Sequence, residues 1–130
     1  IPVDNTIPQN TEGTEFFTLS VTPTSSTSKL LISVNMLLAQ TGAGSWMTAA
    51  LFQDSTANAL TASSSYMVTN TGAAVVSFNY YMTAGTTSAT TFKVRYGSSA
   101  GNTLVVNGSG ATGIFGAVPS TSMTIMEIAA

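Results

Sequence analysis

Short alternating runs, cut by turn-forming residues every eight to twelve positions, are the feature that most limits what this chain can become. Glu15–Thr22 sets Phe17, Leu19 and Val21 on one side and Phe16, Thr18 and Ser20 on the other, the period of a half-buried strand. Trp46–Asp54 alternates in the same way, with Trp46, Thr48, Ala50 and Phe52 opposed to Met47, Ala49 and Leu51. Further runs cover Leu60–Thr69, Ala73–Thr83, Thr90–Ser98, Thr103–Asn107 and Ser122–Ile128. The breaks between them are rich in Gly, Ser, Thr and Asn. Nowhere do apolar residues recur at helical spacing over three turns; Met47–Ala57 comes nearest, and its flanks favour a strand. The pattern predicts an all-β, antiparallel jelly-roll sandwich of about eight or nine strands, with no substantial helix.

Lys29–Ala39 and Ala73–Met82 carry apolar residues on both faces. A strand of that kind is covered twice, once by the core and once by loops or by another subunit. Hydroxyl groups stand where charge usually does. There are 22 Thr and 17 Ser among 130 residues, while charged residues make up 6% and hydrophobic ones 44%. With only four Pro, this is a folding composition rather than a mucin-like stalk. One domain spans 1–130, for which size scaling predicts a folded surface of about 6,400 Å². So little charge over so much apolar surface predicts a homo-oligomer. The longest apolar stretch, ten residues from Leu30 to Ala39, is too short to span a membrane as a helix, which takes about 20. The chain opens at Ile1 with neither Met nor a basic-then-apolar leader, so we read it as part of a longer polypeptide.

The composition removes much chemistry. Without Cys or His there are no thiol nucleophiles, no thiolate or imidazole metal ligands, and no ordinary neutral-pH proton shuttle. Three cations cannot neutralise a row of phosphates, which argues against nucleic acid. The five carboxylates Asp4, Glu12, Glu15, Asp54 and Glu127 form no pair of the kind a glycosidase needs. Gly108–Gly113 matches G-x-G-x-x-G, but Ile114-Phe115-Gly116-Ala117-Val118-Pro119 follows it instead of a phosphate-binding helix, so it reads as a glycine loop. Ser26-Thr27-Ser28-Lys29 matches S-x-x-K without the further motifs of that chemistry. Asn107-Gly108-Ser109 reads as a turn. The chain is expected to be no enzyme and to hold no cofactor or metal.

Lys93 and Arg95, two apart in one strand, share a face; Glu127 and Glu15 are their expected partners in an ion pair that sets register or a subunit contact. Trp46, beside the Gly42–Ser45 loop, and Tyr66, with Tyr80, Tyr81 and Tyr96, are candidate stacking platforms for a glycan, read against core or subunit interface, with Asn58 and Asn102 as amide partners.

Phe92-Lys93-Val94-Arg95-Tyr96-Gly97-Ser98, Asn107-Gly108, Gly113-Ile114-Phe115-Gly116 and the closing Ser122-Met123-Thr124-Ile125-Met126-Glu127-Ile128 resemble C-terminal domains of bacteriophage tail-fibre and related virion proteins. Thr6-Ile7-Pro8-Gln9 with Glu12-Gly13, and Phe52-Gln53-Asp54, are similar to the opening and middle of that pattern. The resemblance implies a jelly roll like those of tumour necrosis factor and C1q, assembled as a homotrimer at a fibre tip on the virion. In it Arg95 and Glu127 are architectural, and loops contact a host cell-surface glycan or protein receptor. The candidate loops are Gly42–Trp46, Ser55–Asn58, Ala84–Thr87, Ser98–Asn102 and Gly108–Gly116. A capsid or decoration jelly roll and a carbohydrate-binding module are the alternatives.

Overall fold

The computed structural model describes the chain from Ile1 to Ala130, the Ala117 side chain excepted. Its strands are β1 (Thr14–Val21), β2 (Lys29–Gln40), β3 (Ser45–Gln53), β4 (Thr61–Met67), β5 (Ala73–Thr83), β6 (Thr90–Ser98), β7 (Leu104–Val106), β8 (Gly108–Ser109), β9 (Thr112–Gly113) and β10 (Ser122–Ile128). Among the described residues the one helical element is a single 3-10 turn at Phe115–Ala117. The first sheet runs β1-β6-β3-β4 and the second β10-β2-β5, with β7 also paired to β2. Every pairing is antiparallel. Consecutive strands cross repeatedly between the sheets and β6 returns to lie between β1 and β3, which makes an antiparallel sandwich of jelly-roll type.

Alternation along β2 builds the centre of the core. Leu30, Ile32, Val34, Met36 and Leu38 all point inward and are buried, against Met47, Ala49 and Leu51 of β3 and Phe92 and Val94 of β6. The exposed area totals 6431 Å², what a compact chain of this mass shows. The strand ends Lys29, Ala73, Thr83, Thr90, Ser98, Ser122 and Ile128 fall where the pattern of turn-formers puts them. In the Gly108–Ser120 stretch, read as loop, the structure adds the β8–β9 hairpin, two residue pairs long. The strand pairs the backbone of Gly108 and Ser109 with that of Gly113 and Thr112, so this glycine motif forms a hairpin.

The β3 strand is buried on both sides, for a reason that local pattern does not contain. Ala50 and Phe52, on its outer face, lie with Ile1 in a second apolar cluster. Residues 1–13 run over that face as a strap. Asn10 N–H donates to Ala57 O (2.8 Å) and Ala59 N–H to Pro8 O (2.9 Å). Arg95 anchors the strap's end, donating from Nε to Glu12 O and from Nη2 to Gly13 O, each at 2.7 Å. Gly13 has φ +66°, and a Cβ there would lie 2.5 Å from Tyr96 O, so only glycine brings the strap this close.

The register divides the loops between two ends. Residues 41–44, 68–72 and 99–103 lie at one end, and residues 22–28, 54–60 and 84–89 at the other. The β8–β9 hairpin reaches the first end, where Ser109 Oγ donates to Thr71 O. Thus Gly42–Trp46, Ser98–Asn102 and the hairpin share one end, whereas Ser55–Asn58 and Ala84–Thr87 belong to the other.

Candidate functional site

Trp46 and Tyr66 are directly opposed across β3 and β4, on the outward face at the first end. Their ring centroids are 5.2 Å apart at 61°, an edge-to-face contact that orders both rings. Trp46 is 39% and Tyr66 48% exposed, so the pair forms an open, angled aromatic surface. Its backbone is held: Trp46 N–H donates to Ser99 Oγ (3.0 Å), and Ser99 N–H returns a bond to Trp46 O (2.9 Å). Gly44 N–H donates to Met67 O at 2.8 Å and closes the loop. Val68, 74% exposed, extends the apolar surface beyond Tyr66.

The other two candidate contact residues serve the fold. Asn102 Nδ2 donates to Ser45 Oγ (3.0 Å), which itself donates to Gln40 Oε1 (2.7 Å) and lies 3.0 Å from Ser98 Oγ. That network pins the loop beneath Trp46; a Cβ at Gly42 would lie 2.5 Å from Asn102 Oδ1. Asn58 lies at the far end, where its Oδ1 accepts from Gln9 Nε2 at 2.9 Å. It stands at the opposite end of the sandwich from Trp46.

Of the two expected partners for the strand cations, one is present. Glu15 lies 3.4 Å from Lys93 Nζ and 3.5 Å from Arg95 Nη1, because β1 places Glu15 opposite Arg95. Glu127 is elsewhere: β10 sits in the second sheet, and Glu127 Oε1 accepts from Thr24 N–H (2.8 Å) and Thr24 Oγ1 (2.7 Å). It therefore pins the turn between β1 and β2 and pairs with neither cation.

Glu15 is held below the ordinary carboxylate range, first by the Thr18 hydroxyl and then by Lys93 and Arg95. Asp4 is lowered by Thr6, and Glu127 by Thr24 before its other donors. A carboxylate with a depressed folded-state pKa stabilises the fold above its unfolded pKa, and that contribution disappears as pH falls through the folded value. The urea midpoint should therefore fall between pH 7 and pH 3, and Glu15→Gln should flatten the dependence. An equally steep dependence in Glu15→Gln would assign the effect to other groups.

Every charged side chain has a local partner. Besides those above, Glu12 Oε2 accepts from Gln9 N–H, Asp54 Oδ1 from Thr91 N–H, and Lys29 Nζ donates to Thr83 Oγ1. A depression of about 280 Å³ gathers Glu15, Asp54, Lys93 and Arg95, with Glu15 shared between both cations. Among the described residues, no three acidic side chains lie close enough to hold a metal ion.

No protein-family model matches the chain, and no curated protein matches it. Sequence reasoning picked out Trp46 and Tyr66 separately; their meeting depends on the β3–β4 register. It missed the Ser99 clamp, whose only sequence signal is the hydroxyl density of the Ser98–Asn102 loop.

Proposed function

We propose that this domain is a non-enzymatic, trimeric attachment module of tail-fibre type, carried on a virion, which holds a host-surface glycan at the Trp46–Tyr66 end of the sandwich. One observation carries the reading. All the charged side chains are engaged within the fold, while an ordered aromatic pair is left open among hydroxyl-bearing loops. A pyranose presents an apolar C–H face and a rim of hydroxyls. Aromatic rings cover the face, and neutral donors and acceptors meet the rim. Ser99 and Gly44 flank the pair, and the hairpin lies at the same end of the sandwich. Three weak sites on one trimer gain avidity without any further contact.

The test is binding of the isolated domain to host cells and to immobilised surface glycans. Trp46→Ala should weaken binding by about tenfold per site, roughly 1.4 kcal/mol, and by more for a trimer on a dense surface. Circular dichroism should show the fold intact, with a modestly lower thermal midpoint, since Trp46 packs edge-to-face on Tyr66. Undiminished binding by Trp46→Ala with Tyr66→Ala would overturn the assignment.

The same aromatic pair favours one other reading, a monomeric carbohydrate-binding module. Sedimentation separates the two: a module that binds glycan as a monomer at micromolar concentration fits this second reading and removes the first.

A further inference from the structure

The end of the sandwich that carries Trp46 and Tyr66 also has an opening on the other side of β6. β1 pairs with β6 only as far as Thr14 and Tyr96, so the last residues of β6 run on without it. Between them and the loop leading to β7 lies a cleft of about 450 Å³, with Thr14, Tyr96, Ser98, Asn102, Thr103 and Leu104 among its walls. Ligand pockets run from about 300 to 1,000 Å³, so the space suits a small molecule. Tyr96 and Leu104 pack on the main core and supply apolar wall; the other four bring hydroxyls and an amide. No Lys, Arg, Asp or Glu side chain lines the cleft.

A buried network sets how that wall is polarised. Gln40, fully buried and the register partner of Leu104, accepts the Ser45 proton at its Oε1. Ser45 Oγ must then accept from its other two neighbours, Asn102 Nδ2 and Ser98 Oγ. Asn102 is thereby held by its amide nitrogen, and among the described residues its Oδ1 accepts no bond. Gln40 Nε2 is a buried donor with no partner, a state that folds normally relieve with water or a ligand.

We infer that the glycan is a neutral oligosaccharide, and that this cleft holds a residue further along the chain whose first sugar stacks on Trp46 and Tyr66. The inference rests on the glycan-binding reading above and names the class of ligand. Continuity between the two places carries it. Trp46 and Ser99 are bonded across β3 and β6, while Ser98 and Asn102, in the same stretch of chain as Ser99, line the cleft. β6 alone stands between them, so they lie roughly two strand spacings, about 10 Å, apart. The second or third residue of one oligosaccharide covers that gap. Its hydroxyls donate to Asn102 Oδ1, Tyr96 and Leu104 meet its C–H groups, and a water carried beneath it gives Gln40 Nε2 a partner. A sugar carboxylate finds no cationic side chain there, and burying a charge unpaired is costly. The cleft therefore selects against sialic and uronic acids.

The experiment is calorimetric titration and amide NMR of the full chain. The probes are neutral mono-, di- and trisaccharides of glucose, galactose and N-acetylglucosamine, with their uronic-acid counterparts. The best-bound trisaccharide should bind about tenfold more tightly than the monosaccharide at its end, and only the longer sugars should shift the Gly101 and Asn102 amides. Thr103→Trp, at an exposed position, should fill the cleft, so that the two lengths bind alike. Thr14→Trp should do so from the opposite wall. Equal affinity for both lengths in wild type, or a gain that survives the filled cleft, would overturn this inference and leave the Trp46–Tyr66 site standing. Should neither variant fold, unmoved Gly101 and Asn102 amides would overturn it in the same way. Tighter binding of the uronic acids would overturn the neutral class. Oligosaccharide binding that moves those amides yet survives Trp46→Ala with Tyr66→Ala would overturn the aromatic site and leave the cleft. No binding by any of the sugars would overturn both.

Discussion

Phe92→Ala should lower stability by about 3–5 kcal/mol, a large share of the total. Phe92 is fully buried on the inner face of β6, opposite Leu19 of β1 and Gln53 of β3. Its ring lies in the main core with Leu30, Ile32 and Leu51, so both sheets form walls of the hole its removal leaves. Paired backbones hold those walls apart, and the cavity cannot close. A domain of this size has about 5–15 kcal/mol in total. Phe52→Ala is the control. Phe52 is equally hidden, 1% exposed, but it lies on the opposite side of the same sheet, beneath the strap. A strap fixed at a few backbone bonds can settle into the space, so the loss should be about half as large. Urea unfolding with matched m-values measures both. Equal losses would mean that the strap is as rigid as the second sheet.

Arg95→Met should cost about 2–4 kcal/mol, unusually much for a side chain near the surface. The methionine keeps the aliphatic stem and loses the bonds from Nε and Nη2 to Glu12 O and Gly13 O. Each such charge-assisted bond contributes about 1.5–3 kcal/mol. The loss of the Glu15 contact matters less, because Lys93 remains beside that carboxylate and the carboxylate is largely exposed. Arg95→Lys should recover less than half, since an ammonium lacks the planar fork that reaches two adjacent carbonyls. Hydrogen exchange localises the effect: the Asn10 and Ala59 amides, which tie the strap to the β3–β4 loop, should exchange faster while those of β2 stay protected. Uniform acceleration across the sheet would show that Arg95 supports the whole sandwich.

These two variants also mark what local pattern reveals. Phe92 is legible as core because Phe92, Val94 and Tyr96 alternate with Lys93 and Arg95 between two turns. The strand limits of β5, β6 and β10 follow from the same periodicity. The strap is not legible, because Ile1 and Phe52 meet across fifty residues and neither run announces the other. The bulge between Glu15 and Phe17 is hidden too. It breaks the alternation at Phe16, whose ring lies edge-on to the core-packed Phe17 (4.8 Å) and Tyr96 (5.7 Å). Composition put Asn58 and Asn102 among the contact residues, yet each is committed to a partner more than forty positions away. Glu127 was a candidate for the cations only while its sheet was unknown. In each case the residue type was informative and its partner was not, since partners are set by register and by crossings between sheets.

The local partnering of the charged side chains has a consequence for where such a protein can work. Ionic strength acts on long-range fields, and ions held against hydroxyls, amides and each other project little of one. On the proposed reading, glycan binding through neutral rings and hydroxyls should hold with similar strength at low and high ionic strength. A grip of this kind changes little with salinity and responds instead to how densely the sugars are displayed.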